Sequence, residues 1–161
     1  MAQTTAPVRT IEEFLKQHKS LTNIKQIQAQ RDERRDRFVA EVEALFKQIM
    51  KWLTKLAKDG PVFYRERPIS IYEEGIGEYK ISELLVDVAD RLIIFRPVGT
   101  MIYGAYGRVD ILGFSQIYLT MREWGKWKVS NREYRPGSAK QSLDNLTEAE
   151  FKNVLFMMVS D

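Results

Sequence analysis

The chain of 161 residues contains no cysteine and a single histidine, His18. The absence of cysteine excludes disulfides, thiolate metal sites and cysteine nucleophiles. Nucleophilic triads usually need a histidine base, so one could be built only on His18, and a histidine-rich metal site is excluded. No apolar run approaches the roughly 18 residues of a membrane span, and the N-terminus lacks the layout of a signal peptide. These absences favour a cytoplasmic protein that does not contact membranes.

The composition is ordinary, but the charges are distributed unevenly along the chain. With 44% hydrophobic and 29% charged residues, the chain fits a single globular domain. Residues 1–60 carry 12 Lys and Arg against 8 Asp and Glu, a net charge of +4, whereas the remainder carries 13 against 14. An acidic protein or a polyanion would therefore be attracted first to the N-terminal part.

The N-terminal third of the chain is predicted to be helical, over residues 10–60, after a flexible segment at 1–9. Thr10 caps a short helix that carries His18 on its apolar side, where packing or capping is the simplest role for a histidine. From Thr22 to Lys58 there is no proline or glycine, which predicts one long helix ended by a left-handed Gly60. Its apolar residues recur at steps of four and three, which predicts the buried face: Phe38, Val42, Leu45, Ile49, Trp52 and Leu56.

The period shifts towards two after this helix, which predicts strands. Residues 61–133 contain six or seven short strands with short connections, including one at 101–103, and such connections favour antiparallel pairing. A loop over 134–145 and a helix over 146–160, capped by Thr147, complete the chain. The fold class is therefore α+β within a single domain at 10–161: a long N-terminal helix packed on a curved, mostly antiparallel sheet, with a short C-terminal helix.

Three short motifs resemble a bacterial family of uncharacterised proteins. They are Ile-Ser-Ile-Tyr-Glu-Glu-Gly-Ile-Gly-Glu-Tyr at 69–79, Pro-Val-Gly-Thr at 97–100 and Gly-Arg-Val-Asp-Ile-Leu-Gly at 107–113. The resemblance covers roughly residues 30–130. It implies a self-contained bacterial domain and assigns neither an activity nor a site.

Carboxylates are the only metal ligands that the sequence offers in number. Glu78 and Lys80 have the E-x-K spacing of a nuclease core, in which two acids bind Mg²⁺ and the lysine orients water. Asp87 or Asp110 would supply the second acid. A solvated strand face explains the same residues more simply, and an ion pair with Arg108 explains Asp110. We therefore expect no cofactor, no bound metal and no catalytic residue, with a metal-dependent hydrolase as the most distant alternative.

A second pattern interleaves basic and aromatic residues, which can follow phosphates and stack on bases. It predicts a nucleic-acid-binding accessory protein as the first alternative function. The basic stretch of the long helix and one hairpin would contribute the site: Arg31, Arg34, Arg35, Arg37, Arg122, Trp124, Lys126 and Lys128.

The register of that hairpin follows from its apolar alternation. Met121 must share a buried face with Trp127 and Val129, which predicts a three-residue loop from Trp124 to Lys126 that pairs Met121 with Val129. The same register would place Arg122 opposite Lys128.

The leading interpretation is a non-catalytic protein–protein interaction or regulatory module that forms a homodimer, with an unknown protein as another partner. A helix from Thr22 to Lys58 would be about 55 Å long, more than the roughly 40 Å diameter of a compact domain of this size. The helix must therefore overhang its sheet or kink near residues 28–31. An overhang would carry the basic segment and an apolar anchor for self-association: Leu21, Ile24 and Ile27.

Overall fold

The computed structural model describes residues 10–100, 105–130 and 143–160. It confirms the α+β class, with two N-terminal helices, a seven-stranded sheet and a short C-terminal helix. None of the described helices is both long and apolar enough to cross a membrane. The elements are α1 Ile11–Gln17, α2 Ile24–Leu56, β1 Val62–Glu73, β2 Gly77–Val88, β3 Arg91–Gly99, β4 Gly107–Leu112, β5 Gln116–Glu123, β6 Lys126–Ser130, β7 Leu143–Asn145 and α3 Glu148–Val159.

The long helix α2 is uninterrupted over 33 residues, and Ile24 at its start is 71% exposed, so Ile24 is not folded back onto the core as the alternative with a kink near residues 28–31 requires. Asn23 caps its N-terminus by accepting a hydrogen bond from the backbone N–H of Gln26. Gly60 is not left-handed, contrary to prediction; the helix ends instead through a tight last turn in which the N–H of Asp59 bonds to the carbonyl of Leu56 at 2.9 Å. Five of the six residues predicted for the buried face are buried, Leu56 is only partly buried, and Phe46 and Leu53 widen the buried stripe: Phe38, Val42, Leu45, Phe46, Ile49, Trp52 and Leu53.

The sheet is an antiparallel meander in the order β1 to β7, so each strand pairs with its neighbours in sequence. Tight turns make this order possible. Ala89 and Asp90 connect β2 to β3 with φ of 48° and 69°, the backbone twist that two-residue hairpin loops need. The helices α2 and α3 share one face of the sheet, where the Phe151 ring lies 5.2 Å from Trp52 and 6.1 Å from Phe95 between ring centroids.

One strand of the sheet differs from the predictions. The strand β7, at Leu143–Asn145, lies within the predicted loop over 134–145, and it pairs with β6. The strand predicted at 101–103 and the rest of that loop, like residues 1–9, lie outside the described residues.

The β5–β6 hairpin also corrects the predicted register. Its loop has two residues, Trp124 and Gly125, and Met121 pairs with Trp127 rather than with Val129. A bulge at Arg122 supplies the extra residue that keeps Met121 on the buried face. Lys128 therefore lies opposite Thr120 and not opposite Arg122.

Candidate functional site

The basic segment of α2, residues 28–37, packs between two hairpin turns. On one side the guanidinium of Arg31 covers Gly75 in the β1–β2 turn, where an added Cβ would lie 3.1 Å from Arg31 Cζ. On the other side the guanidinium of Arg37 lies 4.5 Å from the ring centroid of Trp124 in the β5–β6 turn. The predicted overhang is therefore wrong for residues 31–37, and only the helix before Arg31 extends past these contacts.

An aromatic stack joins the same segment to the sheet. The rings of Trp124 and Tyr106 are 4.6 Å apart and inclined by 18°, and the backbone N–H of Tyr106 bonds to the carbonyl of Met121 at 2.7 Å. Arg37 is therefore the third member of an Arg37–Trp124–Tyr106 stack. The stack borders a cleft of about 180 Å³ that is lined by Gln30, Glu33, Arg34, Arg37, Tyr106 and Trp124.

Three predicted residues, Arg34, Arg37 and Trp124, thus meet in one cleft. Tyr106 was not predicted from the sequence, where its only signal is an aromatic residue next to Gly107 at the start of a strand. Because the Trp124 ring contacts both the Tyr106 ring and the Arg37 guanidinium, its packing is explained without a bound base.

Arg35, another predicted binding residue, forms ion pairs within its own helix. Its guanidinium donates to Asp36 at 3.0 Å and to Asp32 at 3.4 Å. The hydrogen bond to Asp36 raises the pKa of Arg35 above its ordinary value. The positive charge of Arg35 is therefore largely compensated before any partner arrives.

The cations of the β5–β6 hairpin do not converge on the cleft. Lys126 forms an ion pair with Glu123 at 2.9 Å, and this hydrogen bond raises the pKa of Lys126 and lowers that of Glu123. Lys128 alternates with the buried Trp127 and Val129, so it points to the opposite face of the sheet. Arg122 is exposed at the bulge.

The residues predicted for self-association lie in two different environments. Leu21 and Ile27 line a cavity of about 380 Å³ together with Phe14, Leu15 and His18 of α1 and its end. Ile24 is not among the lining residues and is 71% exposed. We call residues 10–27, which include α1 and the first turn of α2, the helical arm.

His18 has a local structural role at the end of α1. Its Nδ1–H donates to the carbonyl oxygen of Phe14 at 2.8 Å, and the two rings lie 4.3 Å apart. Packing and capping thus explain this histidine, as the sequence indicated.

Glu78 and Asp87, two of the acids proposed for a magnesium site, are far apart. Glu78 and Asp87 are nine positions apart on β2, which corresponds to about 30 Å along a strand. Asp110 accepts a hydrogen bond from Arg108 at 2.7 Å, which confirms the predicted ion pair. Nowhere in the described ranges do three or more acidic or histidine side chains lie close enough to hold a metal ion.

Two other glutamates, Glu73 and Glu83, are buried, and no local pattern in the sequence predicts the burial of either. Glu83, whose side chain is 1% exposed, accepts hydrogen bonds from Arg67 and, at 2.8 Å, from Arg96 on the neighbouring strands. Burial raises the pKa of Glu83, but the hydrogen bonds from Arg96 and Arg67 outweigh burial and hold the pKa below its ordinary value. The carboxylate is therefore charged and paired on both of its oxygens, which is typical of a structural ion pair.

Glu73 ties the β1–β2 turn to the end of β3. It accepts hydrogen bonds from the Tyr79 hydroxyl at 2.5 Å and from the backbone N–H of Thr100 at 2.7 Å. Gly99, with φ of 149°, leaves room for the carboxylate, because a Cβ there would lie 2.6 Å from Glu73 Oε1. Burial and the hydrogen bond to Glu73 raise the pKa of Tyr79. The tyrosine thus stays neutral and donates to the glutamate, which fixes the turn that Arg31 covers.

Comparison of the chain with protein-family models, curated proteins and solved structures finds no match.

Proposed function

We propose that the protein is a non-catalytic interaction module that forms a homodimer through its helical arm. The observation that carries this proposal is the state of α1, in which no residue is buried although the helix has an apolar stripe. The exposed fractions are 63% for Ile11, 46% for Phe14 and 59% for Leu15, and Ile24 at the start of α2 is 71% exposed.

A helix as short as α1 has little stability of its own. Helices below roughly 12 residues are marginal in water, so most depend on burial of an apolar face. The described chain gives α1 only the shallow cavity that contains Leu21 and Ile27. A second arm would bury the remaining apolar surface, at about 25 cal/mol for each Å² removed from water.

A two-fold arrangement of two arms fits the distribution of side chains. In such a dimer the same patch serves both subunits, so it must be complementary to itself. An apolar centre meets this condition, and Lys16 lies next to the acids Glu12 and Glu13 on the same short helix, which lets unlike charges face each other at the rim. The Arg37–Trp124–Tyr106 stack keeps the basic segment on the sheet. The arm lies beside that segment, since Arg31 and Arg34 line the same cavity as Phe14 and Leu15, and it leaves the other side of α1 exposed.

Sedimentation velocity over low to high micromolar concentration tests the proposal. We expect a dimer for the native chain and a monomer for the Leu15→Glu plus Ile24→Glu variant. The matched control is Leu92→Glu, which replaces an apolar residue that is 49% exposed on β3 and should leave the dimer intact. A native chain that stays monomeric throughout, or a dimer that is unaffected by the arm variant, would contradict association through the arm.

A further inference from the structure

The outer edge of β1 is a second unoccupied surface. β1 is the first strand of the sheet and runs for 12 residues, and no strand of the described chain pairs with its outer side. An edge of this length presents a row of backbone N–H and C=O groups, interrupted at Pro68, which has no N–H, and the residues on either side of Pro68 can pair with an added strand. Residues 63–68 are all exposed, so access to this edge is open.

The long helix runs beside this edge. Thr54 of α2 bonds to the hydroxyl of Tyr64 at 2.8 Å, and Arg31 of α2 covers Gly75 just beyond the other end of β1. Between these points the helix advances 23 residues, or about 35 Å, and the chain of β1 and its turn advances 11 residues, or about 36 Å. Helix and strand are therefore aligned and antiparallel, with a groove of about 630 Å³ between them that is lined by Lys47, Met50, Lys51, Thr54, Lys55 and Tyr64.

Three lysines of α2 line the groove. Within the described ranges no carboxylate lies within 4 Å of the ammonium groups of Lys47 and Lys51, whereas Lys55 is paired with Glu148 at 3.3 Å. On β1, Glu66 shares the sheet face of Tyr64, and Arg65 points to the opposite face. The unpaired charges of Lys47 and Lys51 therefore favour an acidic occupant of the groove.

From the free edge, the groove and the unpaired lysines, we infer that β1 binds an acidic peptide in extended conformation, which adds to the sheet as an eighth strand. Alternate residues of a strand are about 6.7 Å apart on one face. Lys47 and Lys51 are one helical turn apart, which is about 6 Å. Alternate carboxylates of the peptide therefore meet successive lysines, while its backbone bonds to β1. This surface is separate from the helical arm, so the inference does not depend on the proposed homodimer.

Fluorescence anisotropy with a fluorescein-labelled peptide of alternating valine and glutamate tests the inference. We expect saturable binding at low salt, weakened about tenfold in the Lys47→Glu plus Lys51→Glu variant. The control variant, Arg122→Glu plus Lys126→Glu, changes the net charge equally at exposed positions of the β5–β6 hairpin, at least four strands away from β1, and should bind as the native chain does. Thermal melting of both variants checks that the fold is retained.

Two N-methylated peptides separate strand addition from simple attraction between charges. An added strand bonds to an edge through the N–H groups of alternate residues only. Methylation of one alternate set should therefore abolish binding, whereas methylation of the other set should leave it nearly unchanged. Equal binding of both methylated peptides, no binding of the parent peptide, or tighter binding of an oligothymidine of equal charge would overturn the inference.

Discussion

The Arg37–Trp124–Tyr106 stack gives a prediction that separates a structural role for this cleft from a nucleic-acid site. The change is Trp124→Ala, which removes the aromatic contact at 4.6 Å and the cation–π contact at 4.5 Å. Aromatic pairs are worth about 0.5–1.5 kcal/mol and exposed cation–π pairs about 0.5–1 kcal/mol. Together with the lost burial of a half-buried indole, the variant should lower the free energy of unfolding by about 2–3 kcal/mol.

A double-mutant cycle isolates the part that belongs to Arg37. Arg37→Ala alone should cost about 1 kcal/mol, and the cost should nearly vanish when Trp124 is already alanine, which gives a coupling of about 0.5–1 kcal/mol. The matched control is Arg122→Ala, because this arginine is exposed at the bulge and should change stability by less than about 0.5 kcal/mol. Urea unfolding followed by circular dichroism gives each value.

The same variants test the hypothesis that this cleft binds nucleic acid. If Trp124 is a structural residue, Trp124→Ala destabilises the fold and any binding of labelled single-stranded DNA stays weak and depends on salt alone. A variant as stable as the native chain that has lost DNA binding would refute the structural role, because the ring would then act as a stacking platform.

Two further predictions concern the sheet. Glu83→Gln should destabilise the protein by about 1–3 kcal/mol at neutral pH, since two half-exposed arginines lose their carboxylate. The pKa of Glu83 is lower in the folded protein than its unfolded-state value of about 4.3. Its contribution to the free energy of unfolding is therefore complete above the unfolded-state pKa and is lost as the pH falls through the folded-state pKa. In urea titrations at acid pH, the Glu83→Gln variant should accordingly lose less stability than the native chain. Gly107→Ala should lower the free energy of unfolding by about 1–3 kcal/mol, because a Cβ at this position would collide with the fully buried ring of Phe38. The control is Gly60→Ala, whose Cβ meets no atom within 4 Å and which should be neutral or slightly stabilising. Equal melting temperatures for the two variants would contradict this packing.

The architecture could be predicted because its signals are local. The apolar period of α2 persists from Phe38 to Leu53, and caps such as Thr10 and Thr147 mark helix starts. Short connections left antiparallel pairing as the simplest topology. The strand β7 was not predicted because its three residues, Leu143–Asn145, are too few to show a period in hydrophobicity.

The features that were missed depend on pairing between distant segments. The bulge at Arg122 changes the register of the hairpin, but the same apolar alternation is compatible with a three-residue loop. Glu83 looks like any solvent-facing residue of a strand until cross-strand register places Arg67 directly opposite it. Tyr106 likewise reaches Trp124 only because β4 pairs with β5.

The predicted overhang failed for a geometric reason. A diameter of roughly 40 Å assumes a nearly spherical domain. The strands β1 and β2 each have 12 residues and extend about 40 Å, so the sheet is elongated along the helix and reaches the basic segment. The turns of two hairpins then meet Arg31 and Arg37, and the residues that were expected to be available for a partner are largely occupied within the fold.

Because Arg31 and Arg37 make contacts within the fold, other surfaces remain for partners. Ile24 of the helical arm and Lys47 of the groove are 23 positions apart on one continuous helix, which is about 35 Å. Two proteins or two copies can therefore bind at these places without competing for the same residues. A dimer formed through the arms would carry two β1 edges, and a partner with two acidic segments would bind both with higher effective concentration. Dimerisation would therefore raise the affinity of a bivalent partner but not that of a peptide with one acidic segment. A monovalent peptide thus tests binding at β1 independently of the proposed dimer.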